Sequence, residues 1–131
     1  MAVIRRISAV RIFVTDLERA RAFYRDVLEL GEMDVGDHHT LLDCGGVSIL
    51  LEVATADDPE AAGLVGRLLA VSFAVEGDIH DVHRRLVARG VSFEGAPERQ
   101  AWGGTLAFAR DPDGNILTLR ADPAPCRSSV T

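Results

Sequence analysis

Few side chains in this chain of 131 residues could do chemistry, and they lie far apart in sequence. Arg11 could clamp a carboxylate or a phosphate. Glu52 could accept from a ligand amine, or act as a base if burial raised its pKa. The two could equally pair with each other, and Arg120 is a second partner for Glu52; a rim ion pair of that kind contributes little. Trp102, the single tryptophan, sits in a glycine-rich loop. It could stack on a planar ligand or simply anchor the loop. His38 and His39 follow Asp37 in a polar turn, where adjacent side chains point opposite ways and chelate one metal poorly. A solvated turn is the expectation for them. His80 and His83 are i, i+3 on a helix, able to hold an adventitious transition metal far from any cavity. Cys44 precedes Gly45-Gly46, with no histidine beside it in sequence and nothing to mark it as a nucleophile. No nucleophile–base pair is visible.

Positioning these groups requires elements, and one stretch organises them. Asp111-Pro112-Asp113-Gly114-Asn115 is a tight-turn signal, because Pro112 presets φ and Gly114 tolerates φ > 0. It joins Thr105–Ala109 to the alternating run Ile116–Arg120, which reads as a hairpin. Thr40–Cys44, Gly45-Gly46 and Val47–Glu52 form a weaker copy. Setting Gly46 on Gly114 places Leu50 on Thr118 and Glu52 on Arg120. Upstream of each hairpin stand a strand and a helix. Ile7–Val14 alternates, with Val10, Ile12 and Val14 toward a helix and Ala9, Arg11 and Phe13 on the mixed face. Thr15-Asp16-Leu17-Glu18 reads as a capping box with Thr15 as N-cap. The helix runs to about Leu28 and Gly31 ends it; a short strand near Glu32–Val35 follows. Residues 55–67 read as a linker with a helical turn at Glu60–Leu64. Leu68–Val75 alternates in turn, and Ala9 falls on Ala70. Asp78 opens a second helix with Ile79, Val82, Leu86 and Val87 inward and Gly90 at its end. Val91–Glu94 is a strand, Pro97–Gly104 a loop, and 122–131 a disordered tail.

The expectation is an α+β fold of two β-α-β-β-β modules, 4–54 and 68–121, forming a curled mixed sheet around a cavity, in one domain over 1–121. Apolar content of 47% suffices for a core, while the aromatic content of 5% leaves aliphatic side chains to fill it. A net charge of −6 argues against nonspecific binding to nucleic acid or to an anionic membrane. No apolar run approaches the roughly 18 residues of a membrane span. Cys44 and Cys126 form no C-x-x-C pair, and a reduced cytoplasmic setting is expected.

Two stretches together carry a family resemblance: Val14-Thr15-Asp16-Leu17-Glu18-Arg19-Ala20 with Ala22-Phe23-Tyr24-Arg25-Asp26-Val27-Leu28, and Trp102-Gly103-Gly104 with Asp111-Pro112-Asp113-Gly114-Asn115. The chain resembles the vicinal oxygen chelate superfamily, which holds glyoxalase I, extradiol dioxygenases, methylmalonyl-CoA epimerase, fosfomycin-resistance transferases and bleomycin-binding proteins. The resemblance implies paired modules curled around a cavity, and a homodimer in which chains complete each other's sheets. It implies metal ligands at four strand positions, which here are Ala9, Leu50, Ala70 and Thr118. None of the first three can bind a metal, and Thr118 is a poor ligand alone. No metal or other cofactor is therefore expected.

The inward faces, read by alternation, are Ala9, Arg11 and Phe13; Ser48, Leu50 and Glu52; Ala70, Ser72 and Ala74; Leu106 and Phe108; Ile116, Thr118 and Arg120. That is an apolar pocket with a few polar groups, as small-molecule sites are. Arg11, Phe13, Glu52, Ser72, Trp102, Phe108, Thr118 and Arg120 are the candidate ligand-binding residues. The leading expectation is metal-free capture of a small, largely apolar or aromatic molecule, sequestering an antibiotic or metabolite. The alternative is a metal-dependent lyase, isomerase or dioxygenase with displaced ligands, or a metal-free acid–base catalyst on Glu52, Arg11 and Arg120. A third reading, a structural or regulatory domain with a filled cavity, predicts that the Phe13 and Phe108 rings cover Ala9, Ala70 and Ala74.

Overall fold

The computed structural model describes residues 6–55, 57–67 and 71–123. The chain divides into two compact units. The first runs to Leu68 and takes in Asp111–Asn115; the second holds Leu69–Arg110 and the chain from Ile116 onward.

In the first unit, β1 (Ala9–Val14) leads to α1 (Leu17–Arg21), which continues as a π-helix over Ala22–Val27. Strands β2 (Gly31–Val35), β3 (His39–Cys44) and β4 (Val47–Val53) follow, then α2 (Pro59–Leu64). The sheet order is β1-β4-β3-β2, with β1 parallel to β4 and the rest antiparallel. Alternation decides which face is covered. Ile12, Val14, Leu42, Ile49 and Leu51 are buried, and α1 packs against β3 and β4. Ala9, Arg11, Phe13, Leu41, Ser48, Leu50 and Glu52 lie on the opposite, more open face.

The helix start differs from the expected capping box. Asp16, not Thr15, is the N-cap, its carboxylate accepting from the Arg19 amide at 3.1 Å. Thr15 is occupied elsewhere, its hydroxyl donating to Asp113 Oδ1 at 2.7 Å. Glu18 pairs with Arg21 instead of reaching back. The π-helix carries an i→i+5 bond from the Leu28 amide to the Phe23 carbonyl, 2.9 Å. Phe23 and Tyr24 are both buried, their rings edge to face at 5.1 Å. Tyr24 then donates its hydroxyl to Asp111 Oδ2 at 2.7 Å.

That bond ties the two motif stretches together. Asp111 also accepts from the amides of Asp113 and Asn115 at 3.0 and 2.8 Å and from Asn115 Nδ2 at 2.9 Å. Every lone-pair direction of a buried carboxylate is used, which is what lets it stay buried. Burial and the adjacent Asp111 charge push the Tyr24 phenol far up, so it remains a donor. Gly114 has φ 90°, the conformation that the turn requires of it.

In the second unit, β5 (Val71–Ala74), α3 (Ile79–Ala88), β6 (Ser92–Phe93), β7 (Glu98–Arg99), β8 (Thr105–Arg110) and β9 (Ile116–Ala121) form the sheet β5-β9-β8-β6, with β7 also on β8. The short pairing of β7 with β8 lies where a plain loop is expected. Asp78 caps α3 through the His80 amide. Ile79 and Leu86 are buried, but Val87 is 48% exposed: one step on from Leu86 rotates it off the packed face. The registers repeat between units. Arg11 faces Leu50 in the first parallel pair, and Ser72 faces Thr118 in the second. Ala70, Leu68, Leu69 and the 124–131 part of the expected tail lie outside the described residues. No helix among the described residues is long and apolar enough to cross a membrane.

Candidate functional site

The open face of the first sheet carries a cavity of about 540 Å³ lined by Asp34, His38, His39, Leu41, Leu50, Glu52 and Val53. Strand pairing builds it. The two-residue turn at Gly45-Gly46 sets Cys44 opposite Val47, so Leu41 meets Leu50 and His39 meets Glu52. Leu41, Leu50 and Val53 form the apolar part, and charged and polar groups stand around it.

Two pairs fix those polar groups. Glu52 grips Arg11 through both oxygens, at 2.6 Å from Nε and 3.0 Å from Nη2. The Arg11 guanidinium lies 5.2 Å from the Phe13 ring centroid. The Glu52 carboxylate raises the Arg11 pKa above its already high ordinary value, so Arg11 stays charged. His39 Nε2 lies 3.1 Å from Asp34 Oδ2. A register shift in β2 between Glu32 and Asp34 brings Asp34 to this position. The His39 ring rests on Gly36: a Cβ there would lie 2.3 Å from His39 Cε1.

Arg11, Phe13 and Glu52 therefore come together. The other candidates belong to the second unit. Thr118 is 8% exposed and lies between Ser72 and Phe108 in register, with Ser72 and Phe108 exposed. Arg120 stands 4.7 Å over the Trp102 ring and pairs with Asp122 at 2.7 Å. Trp102 remains 49% exposed but lies against Gly104, where a Cβ would be 1.9 Å from its Cζ3. Ala74 is exposed.

Of the two neighbouring histidines, His38 lies exposed in the bend before β3, as expected, and His39 does not. His39 is half-buried within β3 and is bonded to Asp34, instead of lying in a solvated turn. Counting back from the Gly-Gly turn to Glu52 would have found it; the irregularity in β2 that presents Asp34 leaves no comparable mark. His83 is held edge to face on Phe93 at 4.5 Å. Burial, then Asp43, pushes the Cys44 thiol up, which makes it a weaker nucleophile at neutral pH.

From residue 6 to residue 119 the sequence matches the Glyoxalase/Bleomycin resistance protein/Dioxygenase superfamily. The chain belongs to this superfamily. Its fold is that of a glyoxalase/bleomycin resistance protein/dioxygenase from Nocardioides (TM-score 0.78, 22% identity, 96% of this chain and 89% of that one covered). A superfamily member from Sphaerobacter thermophilus is also similar (TM-score 0.72, 23% identity, 92% and 100% covered). So is a lactoylglutathione lyase from Agrobacterium tumefaciens (TM-score 0.71, 25% identity, 88% and 92% covered). No curated protein matches the sequence.

The metal that the resemblance implies does not fit the residues at its positions. Ala9 and Leu50 offer a methyl and an isobutyl group on the open face, and Thr118 offers one hydroxyl. Ala70, outside the described residues, has no donor in its side chain. Among the described residues no three His, Cys, Asp or Glu side chains group so as to hold a metal ion.

Proposed function

We propose that the protein binds a small, largely apolar or aromatic molecule on the open face of its first sheet, without the superfamily's metal. The observation that carries this is the cavity itself, whose apolar part, Leu41, Leu50 and Val53, is bordered by the Asp34 and Glu52 carboxylates. An apolar body suits the former and a cationic group suits the latter, so aromatic ammonium compounds, including cationic antibiotics, are the preferred ligands. Arg11 offsets Glu52, while Asp34 pairs with His39. Sequestration is the function that such a site supports. Exposed sheet edges favour a homodimer, which sedimentation at several concentrations would detect.

Thermal-shift measurements on chelator-treated protein test the reading. A cationic aromatic compound should raise the melting temperature in a saturable way. Leu50→Arg, which puts a long cation into the cavity at a half-exposed position, should abolish the shift while leaving the unliganded melting temperature within a few degrees. A shift unaffected by Leu50→Arg would place binding elsewhere.

A further inference from the structure

We infer that His39, oriented by Asp34 and seated on Gly36, is a proton acceptor in this cavity, giving the protein a metal-independent activity: abstraction of a proton from an activated C–H of a small, apolar substrate. The inference rests on the proposed binding cavity and goes beyond sequestration. With Nε2 donating to Asp34, Nδ1 carries the lone pair. A base held by a carboxylate beside an apolar surface is the arrangement used for general-base catalysis. Glu52 stands opposite His39 in the β3–β4 pair, but both of its oxygens are taken by Arg11. The backbone also holds the ring's position: the Gly36 amide donates to the His39 carbonyl at 2.9 Å, and no side chain at residue 36 would fit beneath the ring.

The probe is 5-nitrobenzisoxazole, a planar apolar compound with one activated C–H. His39 takes that proton. The C–H electron pair becomes the second π bond of a nitrile, the N–O bond breaks, and its pair leaves on the phenolate oxygen. The imidazolium then returns its proton to water. Atoms and electrons balance with no further reagent. Binding is read by displacement of the thermally detected cationic ligand, and turnover by phenolate absorbance, in chelator-treated protein.

The expected result is saturable turnover exceeding that of free imidazole at equal concentration, lost about tenfold or more in His39→Gln. Gly36→Ala should lose a similar factor, because its Cβ displaces the half-exposed ring while residue 36 keeps an ordinary backbone conformation. His80→Gln, on α3 of the second unit, should leave the rate unchanged. Asp34→Asn, which removes the carboxylate that orients the ring, should lower the rate while leaving binding intact. The charged and titratable groups facing His39 are Asp34 from β2, His38 from the preceding turn, and Glu52 from β4 with Arg11 of β1 behind it. Saturable binding with turnover equal in His39→Gln and wild type would overturn the inference and leave the binding reading standing. Absence of any saturable binding would overturn both.

Discussion

At the scale of single residues, Asp111 joins its turn to the π-helix, and nothing marks it as reactive. Its carboxylate accepts four hydrogen bonds, one of them from Tyr24 on the π-helix. Tyr24→Phe keeps the packing but removes one donor to a buried anion. The expected loss is about 1–3 kcal/mol, measured by urea unfolding at neutral pH. An unchanged unfolding midpoint would mean that water replaces the phenol. The same comparison separates structural from functional motif residues. Phe23-Tyr24 and Asp-Pro-Asp-Gly-Asn carry the family resemblance, yet they serve the fold. The groups around the cavity, Asp34, His38 and His39, lie in a stretch that the resemblance did not draw on.

At the scale of elements, the strands that position the site were legible wherever alternation and turn chemistry agree. Gly45-Gly46 and Asp111–Asn115 fix two hairpins, and both hairpins form. What alternation cannot reveal is local irregularity: the β2 shift that presents Asp34, the π-helix that buries Phe23 and Tyr24 side by side, and Asp113 taking Thr15 away from its cap. The last of these depends on a partner distant in sequence, Thr15 and Asp113 lying 98 residues apart. Another link is testable by pH. Arg21 on α1 donates to both oxygens of Glu32 on β2, at 2.6 and 3.1 Å, and with Arg25 holds that carboxyl below its ordinary 4.5. A carboxyl depressed in the folded state contributes stability that is present above the unfolded pKa and lost as pH falls through the folded one. The stability gap between wild type and Glu32→Gln should therefore be constant near neutrality and shrink below about pH 4.5. A gap that persists unchanged to pH 3 would show that the pair's charge contributes nothing.

At the scale of the whole molecule, the repeat explains why the fold was readable and the function was not. Both units place equivalent residues at equivalent registers, Leu50 at the position of Thr118 and Arg11 at that of Ser72. The side chains at those equivalent positions have diverged. The ligand positions that the resemblance implies are Ala9, Leu50, Ala70 and Thr118, so membership specifies the scaffold while the chemistry must be argued from the cavity. The predicted site residues Arg11, Phe13 and Glu52 converge beside that cavity. Trp102 and Arg120 instead hold each other on the second sheet.

The most direct test is an amide NMR titration of the chelator-treated protein with an aromatic ammonium compound. Saturable shifts should centre on His39, Leu41, Leu50, Glu52 and Val53, and should be unchanged when zinc is added. Shifts that arise only with zinc, or that leave these residues untouched, would contradict metal-free binding on the first sheet.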